Sequence, residues 1–248
     1  LNFDGITYAK GAAVLKQLVA FVGDEAFFEG ARRYFAANAF GNTTLDDFLV
    51  QLSAVSGRDM TEWSQAWLQT TGVSTLRLER EADGSATLVQ SDPRPHRLRV
   101  GLYHRIDGRV VRRDQPALDI HDERTPIEVP SADLVLLNDD DLTYAKVRLD
   151  EASLTTVQES LSSIDDPLAR AVVWSSLWNA TRDGELTVAR YTSIVRAHAP
   201  HESNIGLLVG ILSNALFSIR HYASDGERQG EQRAWVETAW AALQLSLI

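Results

Sequence analysis

L-Q-T-T-G-V-S-T-L-R-L-E, residues 68–79, is where the chain changes its period. Up to Leu68, apolar residues recur every three or four positions, the spacing of a half-buried helix. From Thr75 onward they alternate, the spacing of a strand with one face covered. A second change near Asp150 restores the helical period. The two changes predict a multidomain α+β chain with segments 1–72, 73–149 and 150–248, helical, β and helical in turn.

Before the first change, four helices are expected. The stretch F-D-G-I-T-Y-A-K-G-A-A-V-L-K-Q-L, residues 3–18, opens the first, with Asp4 as N-cap and Val14, Leu15, Leu18, Val19 and Val22 as its apolar positions. Gly23 is expected to close it in a left-handed C′ conformation. Ala9, Gly11, Ala12 and Ala13 give this helix a narrow surface, and Gly11 costs about 1 kcal/mol against alanine in mid-helix, which argues for a packing reason. Asp24 is expected to cap a second helix ending near Gly41-Asn42. Thr44 opens a third with T-x-x-D and Gly57 as its stop, and Asp59 caps a fourth that ends at Gly72. Trp63 and Trp67, four apart, are core positions.

Beyond Val73, Asp83-Gly84 and Asp107-Gly108 mark hairpin turns, Leu98, Val100 and Leu102 alternate, and further strands fit 125–130, 133–137 and 143–149. Short strands at regular spacing predict a small antiparallel β-sandwich. After Asp150, Leu154, Val157, Leu161 and Ile164 form one stripe, Pro167 opens a helix, and others follow at about 185–198, 202–222 and 230–248. Short polar turns between them predict a solenoid-like helical-repeat array, truncated at the apolar Leu247-Ile248.

The chain has 248 residues and a formal net charge of −10, which argues against a nucleic-acid surface or a polybasic membrane contact. It has no cysteine, so disulfides and thiolate metal sites are excluded. No apolar run approaches the roughly 20 residues of a membrane span, and no signal peptide is visible, so a cytoplasmic setting is expected. None of the six histidines stands in His-Glu-x-x-His spacing. His198 and His201, with Glu202 adjacent and Pro200 between them, read as a surface helix terminus, and His121-Asp122-Glu123 as an exposed turn. Asp139, Asp140 and Asp141 lack the spaced ligands of a calcium loop and read as a solvated turn between two strands. Neither a phosphate-binding glycine loop nor a G-x-S-x-G elbow is present. What remains is Tyr8, whose hydroxyl can donate to an oxyanion in acyl transfer, or can simply be a half-buried helical tyrosine.

Residues 3–18 closely resemble the segment downstream of the zinc site in aminopeptidase N-like zinc metallopeptidases (gluzincins), through Asp4, Ile6, Tyr8, Lys10, Gly11 and Leu15. The likeness continues. F-V-G-D-E-A-F-F-E-G-A-R-R-Y-F (21–35) is similar to the next helix of that catalytic domain, and W-S-Q-A-W-L-Q-T-T-G-V (63–73) to its closing helix. L-V-L-L-N-D-D-D-L-T-Y-A-K-V-R-L-D (134–150) resembles the last strands of the β-sandwich domain. D-P-L-A-R-A-V-V-W-S-S-L-W-N (166–179) resembles an early helix of the C-terminal helical domain, in the style of bacterial and particularly actinobacterial members.

The resemblance implies the C-terminal part of a zinc aminopeptidase acting on peptide substrates, with Tyr8 stabilising the tetrahedral intermediate beside the zinc. It also implies that the zinc ligands, the general base and the amino-group recognition segment lie upstream of Leu1. The chain itself is then expected to hold no metal and to be inactive alone, with the missing catalytic domain as its natural intramolecular partner. A non-catalytic helical-repeat and β-sandwich module that binds a protein partner is the competing reading.

Overall fold

The computed structural model describes residues 6–81 and 85–245. The Asp4 cap, the Asp83-Gly84 turn and Leu247-Ile248 lie outside the described residues. The chain builds three apolar cores, the second and third lying on the two faces of one sheet.

The first core lies among α1 (Gly11–Val22), α2 (Asp24–Ala37), α3 (Leu45–Ser56) and α4 (Met60–Leu68). Val14, Leu18 and Phe21 of α1 meet Leu52 of α3 and Trp63 and Trp67 of α4, so the paired tryptophans are indeed core. The starts of α3 and α4 follow their cap residues. Thr44 and Asp47 form a reciprocal capping box, with the Thr44 amide donating to the Asp47 carboxylate at 2.7 Å, and Asp59 accepts from the Thr61 amide at 2.7 Å. Gly57 stops α3 in the left-handed conformation at φ 68°.

Three local expectations are corrected. Gly23 has φ 89° and ψ 147°, outside the left-handed helical region, and it serves both as the end of α1 and as the N-cap of α2. A one-residue junction must turn the chain within a single ψ, so the glycine takes an extended mirror conformation and Asp24 becomes the first helical residue. The second helix stops at Ala37, short of Gly41. The fourth stops at Leu68, because the Arg94 guanidinium takes the carbonyls of Thr71 (2.5 Å) and Gly72 (3.1 Å) and holds the exit away from helical geometry.

The β unit comprises two sheets. One has the order β6 (Arg124–Ile127), β2 (Ala86–Gln90), β1 (Ser74–Arg80), β8 (Ala145–Arg148). The other is organised on β3 (His96–Ile106), whose eleven residues pair with β5 (Ala117–Ile120) and then β4 (Arg109–Asp114) along one edge, and with β7 (Leu134–Asp139) along the other. Asp107 and Gly108 both take positive φ (51° and 78°) in the two-residue turn between β3 and β4, as their sequence predicts. Leu76 and Leu88 from the first sheet and Leu98, Val100 and Leu137 from the second form the core between them. The expectation of wholly antiparallel pairing fails at one edge. β8 runs parallel to β1, with Ser74 opposite Ala145. It does so because the chain crosses from the second sheet through the 140–144 turn and enters at the end where β1 starts.

The third core lies under α5 (Glu151–Ser160), α6 (Pro167–Arg182), α7 (Val188–His198), α8 (Ile205–His221) and α9 (Asp225–Leu245). Asp150, Asp166, Thr187 and Asn204 cap the first four through their side chains, and Pro167 occupies the first turn of α6. Leu154, Val157, Leu161 and Ile164 all face inward, onto Tyr103, Leu134 and Leu136 on the outer face of the second sheet. Every residue of β7 is therefore buried, its two faces serving two cores.

Candidate functional site

Tyr8 lies within Ile6–Lys10, a π-helical turn that runs directly into α1. Relative to an α-helix, a π turn holds one extra residue, which rotates the side chains before it by roughly 100°. The Tyr8 side chain is 65% exposed, so the half-buried alternative does not describe it. Ala9, Gly11 and Ala12 are exposed as well, and a Cβ placed on Gly11 meets nothing within 4 Å. Beside them runs an apolar groove of about 460 Å³ between α1, α3 and α4, where Leu15, Leu45 and Leu68 are about half exposed.

The far side of α1 is anchored by polar contacts. Gln17 is fully buried, and its Oε1 accepts from the Thr143 hydroxyl at 2.9 Å and the Tyr144 amide at 2.8 Å. The Tyr144 amide can only donate, so the orientation of the Gln17 amide is fixed. His96, also fully buried, places Nδ1 2.6 Å from the same Thr143 hydroxyl, with its ring edge-on to Trp67 at 4.9 Å. Burial pushes the His96 imidazole down to about 3, with the charges of Arg94 and His121 acting in the same direction, so it is neutral at physiological pH. Lys16 donates to the Asp140 carbonyl at 3.1 Å and pairs with Asp141 at 3.7 Å, and Lys10 sits 5.9 Å from the centre of the Tyr144 ring.

Comparison with known proteins bears on this segment directly. The peptidase family M1 domain matches residues 2–67, and the ERAP1-like C-terminal domain matches residues 134–246. Aminopeptidase N of Streptomyces lividans is 44% identical over 98% of this chain. The chain belongs to peptidase family M1. It spans 31% of the length of the Streptomyces lividans protein. Aminopeptidase N of Lactococcus lactis subsp. lactis is 35% identical over 30% of the chain and 9% of its own length. The crystal structure of Legionella pneumophila aminopeptidase A in complex with aspartic acid shares the fold, with a TM-score of 0.58 at 15% identity, over 99% of this chain and 36% of that one.

The part of the M1 architecture seen here does not fit a zinc ion. Among the described residues no group of three or more His, Asp and Glu side chains converges as a ligand set. His96 is committed to Thr143, His104 lies 4.0 Å from Asp133, and His221 stacks on Phe217. His198 corrects the surface reading of the 198–202 region. It ends α7 but is buried, donating from Nε2 to the Gln158 carbonyl (2.9 Å) while Nδ1 faces the Ser162 hydroxyl (3.0 Å). Burial also lowers its pKa. Glu202 is buried in a two-pronged pair with Arg170, both contacts at 2.9 Å, and only His201 is exposed.

The solvated-turn reading of the acidic run fails at Asp139, which belongs to β7 and is fully enclosed, while Asp140 is half-buried and Asp141 exposed. The Asp139 carboxylate accepts from the Tyr103 hydroxyl (2.9 Å), Arg112 (2.9 Å) and Gln115 (2.8 Å), so the buried charge is paired and hydrogen-bonded. Of the buried polar residues Gln17 and Asp139, the first was readable and the second was not. Asp139 follows the unbroken apolar run 134–137, which ends in N-D as a turn would, while Gln17 is polar yet spaced three from Val14 and four from Phe21 on a buried stripe.

Among the described residues no helix is long and apolar enough to cross a membrane.

Proposed function

We propose that this chain is the part of a zinc-dependent M1 aminopeptidase that follows its metal site, and that Tyr8 is its contribution to the chemistry. In this reading residues 1–72 are the last helices of the catalytic domain, 73–149 a β-sandwich domain, and 150–248 the beginning of a solenoid-like helical domain that covers the cavity. The substrates are peptides with a reachable N-terminus. The Tyr8 hydroxyl donates a hydrogen bond to the oxygen of the scissile carbonyl as it gains negative charge, and such a bond lowers the barrier because it strengthens as the charge develops. Zinc, held by residues outside this chain, supplies Lewis acidity.

The observation that carries the reading is the placement of Tyr8. It is exposed on a π turn, in the segment that matches the peptidase domain, at the end of a helix whose other side is anchored. The open Gly11 face and the half-exposed Leu15 and Leu68 beside it support a large intramolecular partner packing there, namely the remainder of the catalytic domain.

In the longer protein, Tyr8→Phe is expected to lower kcat by about 10²–10³-fold with zinc content unchanged, measured on an N-terminal aminoacyl chromogenic substrate. A kcat within about two-fold of the parent removes Tyr8 from the chemistry. The 248-residue chain alone is expected to hydrolyse no such substrate, with or without added zinc.

A further inference from the structure

We propose that Gln17 is a positioning residue for Tyr8, acting through the 138–144 turn. This rests on the assignment of Tyr8 above. The two residues lie nine apart on one continuous helical path, roughly 13 Å along the axis.

Apolar packing alone leaves the axial placement of α1 loose. Val14, Leu18 and Phe21 contact the first core, but burial of this kind is non-directional and tolerates sliding. At the end that carries Tyr8, the exposed Ala9, Gly11 and Ala12 leave a surface without large side chains to lock it. Hydrogen bonds have direction and a narrow range of length, and among the described residues the side chains of α1 make them in one place. The Gln17 carbonyl oxygen holds both the Thr143 hydroxyl and the Tyr144 amide, away from water, and Lys16 adds a contact to the Asp140 carbonyl.

The receiving turn is built to stay still. Asn138, Asp140 and Asp141 all have positive φ, a conformation that non-glycine residues hold only when their surroundings enforce it. Asn138 enforces it from inside, accepting from the Thr143 amide (3.0 Å) and donating to the Thr143 carbonyl (2.9 Å). Arg112 enforces it from outside, reaching Asp139 (2.9 Å), Asp140 (3.3 Å) and Asp166 (3.4 Å), the N-cap of α6. A helix end that must place one hydroxyl against a reacting carbonyl is thus referenced, through a single buried amide, to a turn that is tied to both neighbouring units. A displacement on the order of 1 Å at a reacting group is enough to lose about 10²-fold in rate.

The test uses the longer, zinc-loaded enzyme. Gln17→Met keeps the size of the side chain and removes the acceptor. It is expected to lower kcat about 10-fold, with KM within about two-fold and zinc content unchanged. Thr143→Val, which removes one of the two donors, is expected to act in the same direction and serves if Gln17→Met does not fold. Leu18→Ala, on the apolar side of the same helix, is expected to lower the melting temperature without changing kcat, which separates placement from stability. Added to Tyr8→Phe, Gln17→Met is expected to cause no further loss, because both act through one hydroxyl.

The proposal is overturned if Tyr8→Phe is severely impaired while Gln17→Met and Thr143→Val keep kcat within about two-fold. It is equally overturned if Gln17→Met reduces the activity of Tyr8→Phe by the same factor again. If Tyr8→Phe itself is unimpaired, the assignment of Tyr8 falls and the positioning role falls with it.

Discussion

Two residues show how local chemistry is decided by burial. His96 is neutral in the folded chain because protonating it means placing a charge beside Trp67 without water. Its folded pKa is about 3, while an unfolded histidine titrates near 6.5, so below pH 6.5 the unfolded chain binds the extra proton. The contribution of His96 is then fully present above about pH 6.5 and is lost as pH falls toward 3, by roughly 1 kcal/mol per pH unit. Urea unfolding between pH 7 and pH 4 should show a steeper loss of stability in the wild type than in His96→Gln, with His198 adding a smaller loss of the same sign to both. Gly101 is the other case. A Cβ there sits 2.5 Å from the Tyr103 ring and against the Asp139 carboxylate, both fully packed, so Gly101→Ala is expected to cost about 3 kcal/mol in the same measurement. The sequence marks neither demand, since that on Gly101 arises from β3 meeting β7 and that on His96 from Trp67 and from Thr143, 47 residues away in the chain. It does mark Tyr8, through its place in a long matching stretch, though not the exposure that makes the residue usable.

Among the elements, those with chemistry at their ends were legible. Thr44 with Asp47, Asp59, and Pro167 each start a helix where the sequence places them, because a helix start is a local matter between a side chain and the amides that follow it. Thr44→Ala should lower chain stability by about 1 kcal/mol, read as a shift in the denaturant midpoint with an unchanged slope. The π turn at Ile6–Lys10 was not legible, since five residues are too few to show a period and an apolar pattern there suits either helix. The parallel pairing of β8 with β1 escaped for a different reason. Alternation says which face of a strand is covered but not which way its neighbour runs.

For the whole molecule, three cores follow the two changes of period read along the chain, while the ion pairs and buried amides that join them are long-range and left only faint marks in the sequence. The absence of a converging ligand set among the described residues gives a simple thermal test. Micromolar zinc should leave the melting temperature of the 248-residue chain within about 1 °C, because a metal stabilises only the state that binds it. The feature with the widest reach is β7. Its Val135 and Leu137 complete the core between the sheets while Leu134 and Leu136 complete the core under the helices. Excising the β unit would strip one side of that strand and leave adjacent leucines facing water on a ready-made sheet, a template for aggregation. Anyone wishing to exchange the helical segment between relatives would have to carry this strand along with it or redesign its outward face, so the two units would move as a single graft.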